Sequence, residues 1–290
     1  MRILVGAAPG TAMDVVARQI GDALSKSGTA VIVDNRPSAG GILALQALRE
    51  APPDGQTLSL VHAMQMGAAP SLFPKLPYDP AADFAPVGIL LRGPQVLVVN
   101  PAVPASNWLE LAALLKAQPG RYRYSTPGNG SPQHLTMEQI KAAIGVDVGH
   151  IPYRGPAATT AVLGGEVELM IEGIGSVLPH IRAGTLRAIA VGGPQRVPLL
   201  AEVPTFSELG VAGIGTVWIG MVAPKATPPA VVQGLNDALS RVVQSPPLRD
   251  AFESVARIVS PGSPAEMAAT IRAETIVWRE VVQRAHIAPD

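Results

Sequence analysis

The amino-acid sequence contains no cysteine and little charge. The absence of cysteine among 290 residues excludes disulfides, cysteine-based zinc sites, iron–sulfur clusters and thiol nucleophiles, and it fits an oxidising compartment. Charged residues make up only 15% of the chain, and 22 basic residues balance 22 acidic ones. Because the chain has no net charge and no basic run, it lacks the electrostatic pattern of a nucleic-acid-binding protein.

Long hydrophobic runs are absent as well. No apolar stretch approaches the ~20 residues that a bilayer-spanning helix needs, so we expect no insertion into a membrane. The apolar residues after Arg2 are too few for a signal peptide, and they lead directly into Pro9 and Gly10. If the protein is exported, we expect this chain to begin at or near its mature end.

Apolar residues and turn formers are plentiful. Hydrophobic residues reach 48%, with 29 glycines and 29 prolines, which is typical of a globular protein with many turns rather than of a disordered chain. A length of 290 residues favours two domains, since about 150 residues per domain is usual.

Residues 3–24 predict a strand, a tight turn and a helix. Residues 3–5 form a short apolar run, and Val16, Ile20 and Leu24 recur on one face of a helix. At the turn, the first N–H groups of the helix have no intrahelical acceptor, so an anion could bind there without a basic side chain. An ordinary strand-to-helix turn explains this stretch equally well. The residues concerned are Pro9, Gly10, Thr11, Ala12, Met13 and Asp14.

The alternation of strands and helices continues, and it predicts an α/β fold with a parallel sheet. Strands are predicted at residues 30–33 and 57–61, with a helix at residues 42–50 between them. Ligands of open α/β sheets bind at the carboxyl ends of strands. We therefore expect the loop after the third strand, which contains His62 and Met64, to lie at the same edge as the first turn.

A second α/β unit is predicted from about residue 99. A strand at residues 122–125 is followed by a glycine loop and by a helix that begins at Pro132 and has Ser131 as its N-cap. This unit has the same arrangement as the first turn, because a helix N-terminus with unpaired N–H groups follows a flexible loop. Tyr153 and Glu172 each lie at the end of a predicted strand. The candidate residues of this unit are therefore Gly128, Asn129, Gly130, Ser131, Tyr153 and Glu172.

The predicted first domain covers residues 1–98 and 221–290, and the predicted second domain covers residues 99–220. Apolar runs at residues 87–91 and 95–100 indicate two separate strands. A further run at residues 218–223 returns the chain to the first domain. No strand is predicted beyond it, and the helices at residues 228–243, 247–255 and 264–285 are expected to cover the sheet of the first domain.

The sequence gives only weak evidence for a catalytic site or a metal site. His134 and Glu138 have a spacing that could hold a metal, but no third ligand is near, so a surface pair is favoured. Ser131 and His134, with Asp14 or Glu172, suggest a hydrolase, yet the G-x-S-x-G elbow is absent. We therefore expect no catalytic residue, no metal and no cofactor.

Four aromatic or charged residues have more than one possible interpretation. For Tyr153, a packed aromatic ring and a ligand contact are equally favoured. Arg154 is expected to hold a loop at the surface, and Trp218 to pack in the core. Glu172 would repel an anion, so either it faces away from the site or the ligand brings a hydrogen-bond donor.

Several segments resemble, in order and spacing, the substrate-binding receptors of tripartite tricarboxylate transporters, also called the Bug-type family. The similarity spans residues 2–287, and the joint occurrence of VPTFSELG, YRGPA and VDNRP is highly specific. The matching segments are APGTAMDVVARQIGDAL, VDNRPSAGG, PPDGQTL, LPYDPAADFAPV, HIPYRGPA, LGGEVEL, LPHIRAGTLRAIAV, EVPTFSELG and MVAPKATPPAVV.

The resemblance implies a periplasmic solute receptor, which we expect to be a monomer, with the type II periplasmic binding protein fold. Two α/β domains would be joined by hinge strands at residues 95–100 and 218–223, with the ligand in the cleft between them. The usual ligand of the family is a small carboxylate. Residues 9–14 would hold it, partly through ordered waters, and residues 128–131 would grip it from the other side. The closed form would then deliver the ligand to a membrane permease.

Departures from the family pattern modify the expected ligand. Thr11, Ala12 and Met13 stand where the family commonly has a second glycine and a small hydroxyl residue, so the pocket is expected to be bulkier and more apolar. Ala161 replaces an aspartate that can serve the ammonium group of an amino-acid ligand. We therefore expect a dicarboxylate or aromatic carboxylate without positive charge, with methionines such as Met64 against its apolar body.

Two alternatives to a transport receptor stay open at this point. One is a ligand sensor of the same fold that reports to a membrane signalling kinase. The other is an enzyme, in particular a hydrolase, on the same scaffold, since a fold does not determine function.

Overall fold

The structure is a computed structural model that describes residues 1–153, 155 and 157–288. Arg154, for which the sequence predicts a surface position, lies outside the described residues. The chain packs as two compact units. The first contains Met1–Arg92 and Trp218–Glu280, and the second contains Gly93–Val217 and Val281–Asp290.

Ten strands and ten α-helices lie within the described residues. The strands are β1 (Arg2–Val5), β2 (Ile32–Asn35), β3 (Thr57–His62), β4 (Phe84–Val99), β5 (Arg123–Thr126), β6 (Gly149–Pro152), β7 (Leu169–Gly173), β8 (Arg187–Val191), β9 (Thr216–Pro224) and β10 (Ile258–Val259). The helices are α1 (Ala12–Lys26), α2 (Ile42–Arg49), α3 (Ala69–Leu72), α4 (Trp108–Ala117), α5 (Pro132–Ile144), α6 (Ala157–Leu163), α7 (Ile174–Arg182), α8 (Pro229–Val243), α9 (Pro246–Glu253) and α10 (Pro264–Arg284). In the described part of the chain, no helix combines the length and the apolar character needed to cross a bilayer.

The first unit is built on strands in the order β2-β1-β3-β9-β4. β1 is parallel to both β2 and β3, whereas β9 is antiparallel to β3. The predicted apolar face of α1, with Val16, Ile20 and Leu24, is buried in the core of this unit. Leu239 of α8 and Phe252 of α9 belong to the same core. These two helices therefore cover the sheet of the first unit, as the sequence predicts.

The second unit holds the strands in the order β6-β5-β7-β4-β8. β5 is parallel to β6 and β7, while β4 is antiparallel to β7 and β8. Its core includes Trp108 and Phe206, whose rings meet edge to face at 5.5 Å. The carboxyl ends of β5, β6 and β7 meet at one edge, which is where ligands of such sheets bind.

Two predictions about strands are wrong. The sequence indicates two runs, at residues 87–91 and 95–100, but β4 is one continuous strand. It pairs with β10 through Arg92 and with β7 from Gln95, so Pro94, which has no N–H to donate, falls where the partners change. A strand also follows residue 223, because Ile258–Val259 pairs with β4. Two residues are too few to show a period in sequence.

The predicted domain bounds and the two packed units differ by a few residues. The packing divides the chain after Arg92 and after Val217, whereas the sequence places the boundaries after residues 98 and 220. Both sets fall within β4 and β9, where continuous strands leave no turn signal. The packing also groups residues 281–290 with the second unit. The predicted bounds stay a prediction.

Candidate functional site

The turn after β1 forms the N-terminus of α1, as predicted. Thr11 is the N-cap, and its hydroxyl accepts the N–H of Asp14 at 3.5 Å while it donates to the carbonyl of Ala8 at 2.7 Å. Within the described residues, the N–H groups of Ala12 and Met13 have no acceptor. These two amides lie at the positive end of the helix dipole, where they are available to an anion.

Asp14 already places a negative charge at this helix N-terminus. Its buried carboxylate accepts hydrogen bonds from Gly10 N at 2.8 Å, Arg18 Nε at 3.0 Å and Asn35 Nδ2 at 2.9 Å. The hydrogen bond from Arg18, followed by that from Gly10, lowers the pKa of Asp14 to about 2. Asp14 therefore stays ionised and engages the nearest arginine, so that an incoming anion meets neutral donors.

The carboxyl end of β3 brings two neutral polar side chains to the same edge. Gln65 Oε1 accepts the N–H of His62 at 3.1 Å. Burial lowers the pKa of His62 to about 4, so its ring is neutral near pH 7. The Nδ1 atom of His62 is buried and has no hydrogen-bond partner among the described residues. His62 was predicted at this edge from sequence, whereas Gln65 was not.

Gln65 approaches the backbone very closely at Gly6 and Gly41. A Cβ atom on Gly41 would collide with Gln65 Nε2, and a Cβ on Gly6 would meet the backbone of Gly41. Gly41 also has a φ of 69°, a backbone angle that residues with a side chain rarely adopt. The Ser-Ala-Gly-Gly stretch could have signalled a close backbone approach, but nothing in the sequence indicates that Gln65 makes it.

Met64 lies in a helical turn rather than in the predicted loop. It begins a π-helical segment, Met64–Ala68, that continues into α3. Gly67 and Pro70 mask the helical pattern in the sequence, because both residues signal turns. Met64 is only 8% exposed and Met66 is fully buried. Met13, in contrast, is partly exposed at the N-terminus of α1.

The second candidate loop lies at the N-terminus of α5, again as predicted. Ser131 is the N-cap, and its hydroxyl accepts the N–H of His134 at 3.3 Å. Gly130 N donates to His134 Nδ1 at 3.2 Å, and Gly128 N donates to the hydroxyl of Thr126 at 3.3 Å. The backbone donors of Gly128 and Gly130 are thus already used within the loop. The backbone N–H of Gln133 remains, since the described part of the chain offers it no acceptor.

The predicted surface pair of His134 and Glu138 is wrong. His134 is 7% exposed, and its ring stacks on that of His150 at 3.8 Å. Glu138 accepts hydrogen bonds from Tyr124 at 2.6 Å and from Lys141 at 2.6 Å. His134 and Glu138 thus contact side chains of β6 and β5, and His134 is buried rather than at the surface.

The hydrolase arrangement suggested by Ser131 and His134 does not form. The Ser131 hydroxyl accepts the backbone N–H of His134, and the His134 ring accepts the N–H of Gly130. A serine nucleophile instead requires its hydroxyl to donate to an imidazole nitrogen. In the described residues, no group of three histidine, aspartate or glutamate side chains could hold a metal ion.

Glu172 and Tyr153 join the same edge of the second unit. Both carboxylate oxygens of Glu172 accept from Gln133 Nε2 at 3.0 Å, and one also accepts from Gly173 N at 2.7 Å. Burial raises the pKa of Glu172, and the bonds from Gly173 and Gln133 oppose that shift. Tyr153 is partly buried, and its N–H donates to the carbonyl of Thr126 at 2.9 Å.

The predicted residues therefore form two groups, one on each unit. The first unit brings the turn after β1 together with His62, and adds Gln65. The second unit brings the glycine loop together with Tyr153 and Glu172, and adds Gln133. Each group lies where parallel strands end and a helix begins, which is the usual place of a small-molecule site in α/β proteins.

A family profile and several solved structures resemble this chain, and they indicate the same family. The profile described as "Tripartite tricarboxylate transporter family receptor" matches residues 16–286. The structure of the periplasmic binding protein BugD is 30% identical, with a TM-score of 0.80 over 100% of this chain and 98% of that chain. Rpa4515 of R. palustris, solved with adipate, is 29% identical, with a TM-score of 0.84 over 100% and 98% of the two chains. MatC from Rhodopseudomonas palustris, solved with bound malate, is 30% identical, with a TM-score of 0.79 over 97% and 98%.

These similarities extend over nearly the whole chain, and they agree with the motifs VDNRP, YRGPA and VPTFSELG. The predicted fold class, a type II periplasmic binding protein fold with two α/β units joined by two strands, is confirmed. The chain belongs to the tripartite tricarboxylate transporter family of receptors.

Proposed function

We propose that this protein is an extracytoplasmic receptor that captures a small carboxylate and delivers it to a tripartite tricarboxylate-type membrane transporter. Family membership and the carboxylates bound by two structural neighbours, adipate and malate, support the ligand class. BugD is a periplasmic binding protein, and the absence of cysteine fits the same compartment.

One observation in this chain carries the proposal: the anion donors of the first unit are neutral. The N–H groups of Ala12 and Met13, the amide of Gln65 and the neutral ring of His62 lie at one edge. Arg18 is engaged by Asp14 and Asn35. Neutral donors hold a carboxylate by hydrogen bonds without a fixed counter-charge, which suits a receptor that must also release its ligand.

Capture would proceed by a shift between two populations. We propose that the ligand binds the group on one unit first and then also contacts the group on the other unit. A state that makes both sets of contacts is favoured by the ligand, because a ligand shifts an equilibrium by its difference in affinity for the two states. The membrane permease would recognise that state. We propose that the protein binds its ligand without chemical turnover. The role of Ser131 agrees with this, because its hydroxyl caps α5 rather than facing a general base.

A thermal-shift screen tests the proposal. The purified protein is heated with mono-, di- and tricarboxylates, aliphatic and aromatic, and with uncharged and cationic compounds of similar size. A ligand that binds only the folded protein at a hundred times its Kd adds about 2.7 kcal/mol to the free energy of unfolding, which a melting curve resolves. Stabilisation by one class of carboxylate, with the compound unchanged afterwards, is the expected result. Stabilisation only by uncharged or cationic compounds, or turnover of the acid, would contradict it.

A further inference from the structure

Glu172 is the one acidic side chain in the second group of candidate residues, and its hydrogen bonds define what can bind beside it. Gln133 Nε2 donates to both of its oxygens at 3.0 Å, and Gly173 N donates to Oε1 at 2.7 Å. Gln133 lies in the first turn of α5, next to the Ser131 cap. The carboxylate is therefore held at the end of β7 and directed towards the N-terminus of that helix.

This arrangement fits the ionised form of Glu172. All three hydrogen bonds to the carboxylate come from N–H donors, and they favour its ionised form against the opposing effect of burial. A carboxylate offers about four acceptor positions, and three are occupied here. One position, on Oε2, has no donor in the described part of the chain.

An anionic ligand cannot approach such a group without compensation. Like charges at short range repel each other more strongly near a protein surface than in bulk water. A donor on the ligand, between its carboxylate and Glu172, would turn that repulsion into a hydrogen bond. An ammonium group has three hydrogens and would need three acceptors, whereas a hydroxyl group needs one.

We propose that Glu172 recognises a hydroxyl group of the ligand, so that the substrates of this receptor are hydroxycarboxylates rather than plain carboxylates or amino acids. The inference rests on the proposed function, and it specifies the substrate class of the same site. Gln133 is a positioning residue in this scheme, because its amide fixes the orientation of the Glu172 carboxylate.

Isothermal titration with matched ligands tests this assignment. The panel has three sets, each with a plain acid and its hydroxy analogue, and the first two sets also include the amino analogue. The sets are succinate, malate and aspartate; glutarate, 2-hydroxyglutarate and glutamate; and benzoate and 2-hydroxybenzoate. We expect the hydroxy member of the matching set to bind roughly tenfold to a hundredfold more tightly than the plain acid, the range for one hydrogen bond to a charged group. Glu172→Gln, which keeps the size of the side chain, should remove most of that preference.

Control variants separate recognition from folding. Glu166→Gln removes the same charge from an exposed position before β7 and should leave the preference intact. Gln133→Met removes the amide that orients Glu172 and should reduce the preference without removing the carboxylate. The melting temperature of each variant without ligand reports whether it is folded.

The outcomes distinguish this inference from the proposed function. Equal binding of plain and hydroxy acids, a preference unaffected by Glu172→Gln, or tightest binding of the amino member would overturn the inference and leave a carboxylate receptor. Proton uptake on binding, measured as heat that depends on the buffer, would also overturn it, because Glu172 would then be the donor. If no carboxylate binds, the proposed function fails and the inference fails with it.

Discussion

Trp218 Nε1 donates to both carboxylate oxygens of Glu274 at 2.9 Å, which links β9 to α10 within the first unit. Trp218 is fully buried, as predicted from sequence. Burial raises the pKa of Glu274 to about 7, against the opposing effects of the Trp218 hydrogen bond and the charge of Arg92. A group that titrates near neutral pH therefore lies against one of the two strands that connect the units.

The first prediction concerns how stability depends on pH through Glu274. The folded protein binds this proton at a pKa of about 7, and the unfolded chain at 4.5. The contribution of Glu274 to stability is thus fully present below about pH 4.5 and is lost as the pH rises to about 7. At about 1.4 kcal/mol per pKa unit, the loss is roughly 3 kcal/mol.

Chemical denaturation of the native protein and of Glu274→Gln, at pH 5 and pH 8, measures this contribution. The variant keeps an acceptor for Trp218 but does not titrate, so it should lose less stability between the two pH values. Glu280→Gln, an exposed position on the same helix, should behave as the native protein does. Identical pH profiles for the native protein and Glu274→Gln would refute the assignment.

The second prediction concerns Gln65 as a donor to the ligand. Gln65→Glu keeps the length of the side chain and an acceptor for the His62 N–H, but it replaces a neutral donor by a negative charge. We expect carboxylate affinity to fall by tenfold or more, since hydrogen bonds to charged groups contribute about 1.5 to 3 kcal/mol. Titration calorimetry measures the affinity, and Gln233→Leu on the exposed face of α8 is the control. Unchanged affinity in a folded Gln65→Glu variant would remove Gln65 from the site.

The third prediction concerns the close approach at Gly41. Gly41→Ala introduces a methyl group that collides with Gln65 Nε2, at a backbone φ of 69°. A left-handed conformation alone costs roughly 1–2 kcal/mol for a residue other than glycine, so the variant should lose more than that. Gly184→Ala is a matched control, because Gly184 has a φ of 70° and no atom within 4 Å of an added Cβ. Equal destabilisation of the two variants, measured by urea denaturation, would show that the contact with Gln65 carries no cost.

The sequence predicts the positions of the candidate residues better than their interactions. Pro9 to Asp14 and Gly128 to Ser131 lie at helix N-termini because strand-to-helix order and the caps Thr11 and Ser131 are local features. The bonds of Asp14 with Asn35, and of Glu172 with Gln133, join residues 21 and 39 positions apart. Such contacts depend on how strands are ordered in the sheet, which the sequence pattern does not specify.

Turn-forming residues explain most of the errors in the predicted elements. Gly93-Pro94 indicates a break, but the strand continues where its partners change. Gly67 and Pro70 indicate a loop, but the backbone there is helical. In both cases the tertiary packing compensates for a residue that disfavours the element, and local propensity carries no information about that packing.

The last prediction concerns His62, whose effect on stability opposes that of Glu274. Burial lowers its pKa to about 4 from 6.5, so its contribution is fully present above about pH 6.5 and is lost as the pH falls towards 4. Between about pH 4.5 and 6.5 the two residues act in opposite directions, so the native protein should show a nearly flat profile that hides both. His62→Gln removes one of the two opposing effects, so the variant should gain stability as the pH falls from 6.5 to 4.5 while the native protein stays nearly level. The difference between the two profiles should reach roughly 3 kcal/mol, at about 1.4 kcal/mol per pKa unit. His286→Gln, at an exposed position, should change nothing. Denaturation at pH 4.5, 5.5 and 6.5 decides between these outcomes, and a His62→Gln profile parallel to that of the native protein would mean that His62 is not held neutral by burial.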